Sequence, residues 1–202
     1  MAKTQRLPVV VAITGASGAP YAVRLIQQLV EHAVPTWLIV SGHGWRLLET
    51  ETEIATLEQL RAHAGAAEFD KHVRVFDDKD RGAAPASGSA RTGGMVICPC
   101  SMGTVAAIAH GTSRSLIERS ADVVLKERRR LLLVPRETPL SLIHLENLTS
   151  VTRAGAIVIP AAPGFYNRPQ RISDLVDFVV ARVLDHLDVE HTLGKRWGGD
   201  AR

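Results

Sequence analysis

Val9-Val10-Val11-Ala12-Ile13-Thr14 runs without a charge into Gly15-Ala16-Ser17-Gly18-Ala19-Pro20. An apolar run of strand length, ended by a glycine loop and then by a proline where a helix begins, opens a βα unit. Behind Pro20, the residues Ala22, Leu25, Ile26, Leu29 and Val30 follow at helical spacing. Five later stretches repeat the arrangement, each an apolar run breaking into small or polar residues where the strand ends. Thr36–Val40 leads to Ser41-Gly42-His43-Gly44, with helical segments expected from Trp45 to about Gly65. Val73–Phe76 opens a long Gly-, Ala-, Ser- and Pro-rich connection from Asp77 to Gly94. Met95–Cys98 runs into Pro99-Cys100-Ser101-Met102-Gly103-Thr104 and helices reaching Lys126. Leu131–Val134 ends at Pro135-Arg136-Glu137, with a helix over His144–Ala154. Ala156–Ile159 precedes Pro160 to Tyr166, and a last helix spans Ile172 to about Leu187.

Apolar strands alternating with amphipathic helices imply a mostly parallel sheet covered on both faces. The expected architecture is a single three-layer α/β domain over residues 1–202, of Rossmann or flavodoxin type. In such sheets ligands bind at the carboxyl ends of the strands, so the chemistry belongs in the loops.

Composition narrows the class. Two hundred and two residues with 46% hydrophobic content suffice for one sizeable core. The longest apolar runs are strand-length and the N-terminus has no continuous apolar segment, so a cytoplasmic protein without a membrane partner is expected. The formal charge of +3 comes with only nine aromatic residues and no basic-aromatic stripe, which favours small anionic ligands over nucleic acid. Cys98 and Cys100 build no disulfide framework, and without a nearby His/Cys cluster they read as structural. Arg128, Arg129 and Arg130 read as the solvated cationic end of a helix.

The first loop excludes two familiar devices. A dinucleotide fingerprint needs glycine at positions 17 and 20, where Ser17 and Pro20 stand. A nucleophile elbow needs glycine at position 19, which is alanine. Two readings remain: a loop presenting a hydroxyl and backbone N–H groups to a phosphate or ring, or a turn with Ser17 as helix cap. Ser41 and the Ser101–Thr104 turn add hydroxyls at neighbouring strand ends. Arg136 and Glu137 read as a surface pair or as site residues, and Tyr166 as a packing anchor or a ligand contact. Arg182 interrupts an apolar helix face, and arginine is seldom buried without an anion.

Several blocks together carry a family resemblance. Thr14-Gly15-Ala16-Ser17-Gly18, Pro85-Ala86-Ser87-Gly88-Ser89, Cys98 to Thr104, Leu125-Lys126-Glu127-Arg128-Arg129, Val134 to Pro139, Ile143 to Asn147 and Pro160 to Tyr166 resemble, in order from about Val9 to Trp197, the signature blocks of the UbiX-type flavin prenyltransferases. The resemblance implies a metal-independent enzyme joining reduced FMN to dimethylallyl monophosphate. Its product, prenylated FMN, would serve a UbiD-type decarboxylase. By position, Gly15, Ala16, Ser17, Ser41, Ser101, Met102, Gly103, Thr104 and Arg136 would hold FMN. Arg119, Lys126, Tyr166 and Arg182 would hold the prenyl phosphate. Ser17, Glu51, Lys126, Glu137 and Trp197 would take catalytic roles, Trp197 from a tail at about 187–202 that covers the site. The family assembly would be a homododecamer built from trimers.

The implied chemistry suits these residue types. An allylic C–O bond breaks to a cation-like prenyl group and a phosphate, and the chain has no D-D-x-x-D motif to bring metal ions to that phosphate. Lys126, Arg119 and Arg182 would supply the positive charge instead, with Glu137 as proton donor and Ser17 near the flavin N5. One departure is Arg81, which stands where some members carry a tryptophan beside the prenyl group. Two rival readings are a flavin-dependent cysteine decarboxylase, whose P-A-S-A-N-T block is echoed by Pro85 to Ser89, and a non-catalytic FMN-binding subunit of a decarboxylase complex.

Overall fold

The computed structural model describes residues 6–194. Six strands form one parallel sheet: β1 (Val9–Ile13), β2 (Thr36–Val40), β3 (Val73–Asp77), β4 (Gly94–Cys100), β5 (Leu131–Pro135) and β6 (Ile157–Val158). Their spatial order is β3-β2-β1-β4-β5-β6, the Rossmann arrangement. Every residue of β1, β4 and β5 is buried, as the uninterrupted apolar runs demand of central parallel strands.

Alternation along the strands divides the core. Val9, Val11 and Ile13 of β1 pack with α1 (Ala19–Glu31) and α8 (Ile172–His186) on one face. Val10 and Ala12 meet α5 (Met102–Ala109) and α6 (Leu116–Lys126) on the other, with Val151 of α7 (Leu142–Arg153). Between β2 and β3 lie α2 (Gly42–Thr52), α3 (Leu57–His63) and α4 (Ala66–His72). Among the described residues, no helix is long and apolar enough to cross a membrane.

The differences from the sequence reading have local causes. The second helix starts at Gly42 rather than Trp45, because the Ser41 hydroxyl accepts from the Gly44 N–H and caps it. Ser141, accepting from the His144 N–H, likewise moves the start of α7 forward to Leu142. Helix α4 lies where no element was expected, beginning behind Gly65 at φ +88°. The last strand shortens to Ile157–Val158. The arginine run is not a solvated helix end as a whole. Arg129 donates to the carbonyls of Gly88 and Ala90 at 2.6 and 2.8 Å, and Arg130 bonds the His186 carbonyl and Asp188. Only Arg128 is left pointing outward, at φ +55°.

Helix α7 buries little beyond Asn147 and Val151. Leu142 and Ile143 are 69% and 68% exposed, and Leu140 and Leu145 extend the same apolar surface.

Candidate active site

The strand order reverses between β1 and β4, so the loops leaving these two strands flank the crevice where an α/β sheet binds its ligand. One buried side chain ties them together. The Thr14 hydroxyl donates to the Pro99 carbonyl at 3.0 Å and accepts from the Ser101 N–H at 2.8 Å. Ser101 then caps α5, accepting from the Thr104 N–H at 3.2 Å, with the two hydroxyls 2.9 Å apart. Helix α2 closes the near side. It approaches so tightly that a Cβ on Gly44 would stand 2.5 Å from the Ile13 carbonyl oxygen, and one on Gly15 would stand 2.6 Å from His43 Cβ. These two glycines are therefore dictated by close approach.

Ser17 is half-buried beside this crevice and does not cap α1. The cap position belongs to Gly18, at φ 128° and without a side-chain bond, and the carboxylate that satisfies the helix start comes from elsewhere. Glu51, on α2, accepts from the N–H groups of Gly18 and Ala19, both at 2.8 Å. This corrects one of the two readings of the loop. Its helix N-terminus already holds an anion of the protein's own, the Glu51 carboxylate, which braces the loop from α2.

A cavity of about 230 Å³ opens between Thr14, Gly15, Ser41, His43, Ser101, Thr104 and Ser115. Asp78 and Glu118 complete its wall, and each is already committed. Asp78 accepts from the Ile117 N–H at 2.9 Å, and its carbonyl accepts from the Leu116 N–H, anchoring the 77–94 connection to the start of α6. Burial disfavours ionisation of Glu118, but the Arg114 N–H and guanidinium and the Thr112 hydroxyl outweigh it and hold the carboxyl below its usual range. Of the expected flavin contacts, Ala16 and Met102 are buried, Met102 in the core cluster on the α5 face.

Three further groups lie at separate places on the protomer. Lys126 ends α6 beside Gly88 and pairs with Glu127, while Arg119 pairs with Asp122 at 2.7 Å. Arg136 and Glu137 are exposed at the end of β5, where Glu137 accepts from the Thr138 N–H. Tyr166 and Arg182 line a second cavity, of about 680 Å³, between α8 and the loop that precedes it. There Tyr166 meets Phe178 edge-on, with ring centroids 5.8 Å apart. A Cβ on Gly164 would come within 2.9 Å of the Tyr166 ring and 3.1 Å of Phe178, so a side chain there would displace the aromatic pair. Arg182 is not on the apolar face of its helix. Its side chain is 55% exposed and paired with Asp185 at 2.9 Å, so burial is not what demands its anion. Arg81 is exposed in the turn after β3, and Trp197 lies outside the described residues.

The cysteines behave as structural thiols. Complete burial pushes Cys98 up to about 12 and drives Cys100 higher still, which leaves neither as a nucleophile at neutral pH. Sequence reasoning passed over Asp78, Glu118, Asp185 and His191, all of which line one of the two cavities.

The model of the Flavoprotein family matches residues 2–184. The flavin prenyltransferase UbiX of Pseudomonas aeruginosa is 47% identical over 197 residues, covering 94% of this chain and 93% of that protein. The crystal structure of AnUbiX (PadA1) in complex with FMN and dimethylallyl pyrophosphate superposes with a TM-score of 0.88 at 43% identity, covering 96% and 99% of the two chains. A dodecameric FMN-dependent UbiX-like decarboxylase from Escherichia coli O157:H7 gives 0.87 at 43% identity, covering 96% and 100%.

Proposed function

This chain belongs to the UbiX-type flavin prenyltransferases of the Flavoprotein family, and from that premise we propose how its residues divide the transfer of a dimethylallyl group from its monophosphate to reduced FMN. The observation that carries the assignment is the convergence of the Ser41, Ser101 and Thr104 hydroxyls on the crevice where the strand order reverses.

That crevice fits FMN in its chemistry. It offers hydroxyls and backbone N–H groups for a phosphate and a ribityl chain, and the exposed Gly15 allows close approach of a ring beside Ser17. Ser41, Ser101, Met102, Gly103, Thr104 and Arg136 would hold the cofactor, with Gly15, Ala16 and Ser17 beneath the ring. Reduced FMN supplies the electron-rich ring that accepts the prenyl group.

The chain's own residues do the rest. Tyr166 and Arg182 bind the prenyl phosphate, whose bridging oxygen takes the C–O bond electrons as that bond breaks. Lys126 and Arg119 add fixed positive charge where the phosphate becomes more anionic, and Glu137 donates a proton to it. The π face of Tyr166 favours the cation-like allyl group over water. Glu51 acts through the Ser17 loop rather than on the substrate. Arg136 and Glu137 at β5 and the Tyr166–Arg182 cavity are completed by neighbouring copies in a homododecamer, for which the bare apolar surface of α7 provides a contact. The prenylated FMN passes to a UbiD-type decarboxylase.

The test is single-turnover conversion of reduced FMN at saturating dimethylallyl monophosphate, with the pyrophosphate as comparison and the flavin product read by mass. Glu137→Gln and Lys126→Ala should slow conversion about 10²–10³-fold, the usual effect of removing one donor from a preorganised site. FMN binding should be unchanged, since the lost interaction matters in the transition state. Rates within about threefold of wild type for both variants would remove Lys126 and Glu137 from the site. Wild-type protein that leaves the flavin mass unaltered would reject prenyl transfer itself.

A further inference from the structure

We propose that Asp185 and His191 are positioning residues for Arg182, holding its guanidinium in the orientation that meets the prenyl phosphate; the inference rests on the reading of Arg182 given above. Arg182 and Asp185 sit one turn apart on α8, and Nη1 of the arginine donates to Oδ2 of the carboxylate at 2.9 Å. Such an exposed i,i+3 pair on its own is a weak constraint, because two mobile side chains must be ordered to make it. Here one member is anchored. The other carboxylate oxygen, Oδ1, lies 3.2 Å from Nε2 of His191, whose side chain is only 2% exposed against 55% for Arg182.

The ring is itself oriented. The Leu193 N–H donates to His191 Nδ1 at 3.2 Å, so Nδ1 is the acceptor and Nε2 carries the hydrogen donated to Asp185. Leu193 packs against the core that supports α8. A chain of contacts thus runs from the fixed backbone of the segment after α8, through a buried imidazole and a carboxylate, to an arginine that faces the cavity. An arginine has five N–H donors in a rigid plane, so tying Nη1 to Asp185 leaves Nε and Nη2 for a phosphate.

The other carboxylates in the cavity wall support the assignment. Asp177 is drawn off to Arg24 at 2.7 Å, and Asp174 caps α8 by accepting from the Gln170 and Arg171 N–H groups. Both serve the helix and not the arginine. Asp185 is the carboxylate that reaches Arg182. A negative charge beside an anion site opposes binding unless it holds the cation that binds the anion.

The experiment is a double-mutant cycle on the full chain, measuring KM for dimethylallyl monophosphate and kcat, with FMN affinity by fluorescence quenching and melting temperature read alongside. Asp185→Asn keeps the shape and removes the charge. It should raise KM about tenfold, as expected for one lost hydrogen bond to a charged group, with kcat and FMN affinity within about twofold of wild type. In the Arg182→Ala background the same substitution should add nothing, because the group it orients is gone. His191→Phe, which keeps the buried ring and removes both nitrogens, should reproduce the rise in KM. If Asp185→Asn multiplies the defect of Arg182→Ala, or leaves KM at the wild-type value while Arg182→Ala raises it, the positioning role is overturned. If Arg182→Ala itself leaves KM unchanged, the reading of Arg182 falls, and this proposal with it.

Discussion

Replacing Glu51 by alanine separates a brace from a catalyst. Its carboxylate accepts two backbone N–H groups, those of Gly18 and Ala19, each at 2.8 Å, and in doing so closes the start of α1 and the loop that carries Ser17. Hydrogen bonds to a charged group contribute about 1.5–3 kcal/mol each, but this site is half-exposed and water can replace the carboxylate in part. Loss of a helix cap costs about 0.5–2 kcal/mol in proteins, and the interaction of the charge with the helix dipole adds about 0.3–1 kcal/mol. A destabilisation of about 2 kcal/mol follows for Glu51→Ala. In a chain of 202 residues each kcal/mol lowers the midpoint by about 2–4 °C, so the melt should fall by about 4–8 °C. Glu51→Gln keeps an acceptor and loses the charge, and should cost about half as much. The assay is thermal unfolding followed by circular dichroism, with FMN affinity measured on the same samples, and both should weaken together. An alanine variant that melts within about 1 °C of wild type and binds FMN normally while turnover collapses would refute the brace. Glu51 would then have to act on the substrate directly.

Two further outcomes follow from the geometry. Gly44→Ala should destabilise by about 1–3 kcal/mol and weaken FMN binding, because its Cβ meets the Ile13 carbonyl oxygen at 2.5 Å, whereas Gly42→Ala, with nothing within 4 Å, should be neutral or slightly stabilising in the same melt and titration. Light scattering should give a homo-oligomer larger than a dimer, reduced in size by Leu142→Asp on α7; a wild-type species near the 21.9 kDa of one chain would reject the assembly.

The fold was legible because its signals are local. Apolar runs without alternation identify buried parallel strands, and Pro20, Ser41 and the glycine loops mark where each strand hands over to a helix. What escaped was set by distant partners. Nothing near Arg129 announces that it will hold the carbonyls of Gly88 and Ala90 some forty positions earlier. Glu51 gives no sign in its own neighbourhood that it closes a helix beginning at Ala19, and the capping role read for Ser17 failed for that reason. The site divides in the same way. The hydroxyls at the strand ends were readable from position alone, since topology places them. Asp185 and His191 were not, although an acid three residues after an arginine on a helix is a spacing that pairs them.

The proposed cations of this protomer are already engaged, and that bears on how a phosphate is selected. Lys126 pairs with Glu127, Arg119 with Asp122 and Arg182 with Asp185. The Lys126 and Arg119 pairs are not deeply buried, so each contributes at most about 1 kcal/mol and would yield to a ligand of higher charge, whereas Arg182 would keep Asp185 and meet the ligand with its remaining donors. A phosphate monoester near neutral pH carries more charge than one carboxylate and presents three acceptor oxygens, enough to draw on several cations at once. A lone carboxylate metabolite could replace only one pair and gains little by doing so. On the proposed reading, the pairing would keep Lys126 and Arg119 extended and screened until an anion arrives that engages several cations together. Coupling of that kind raises discrimination without requiring any single contact to be strong. It also explains why Lys126, Arg119 and Arg182 sit on helix ends and faces whose own residues supply the resting partners, rather than in the apolar core where an unpaired charge would destabilise the fold.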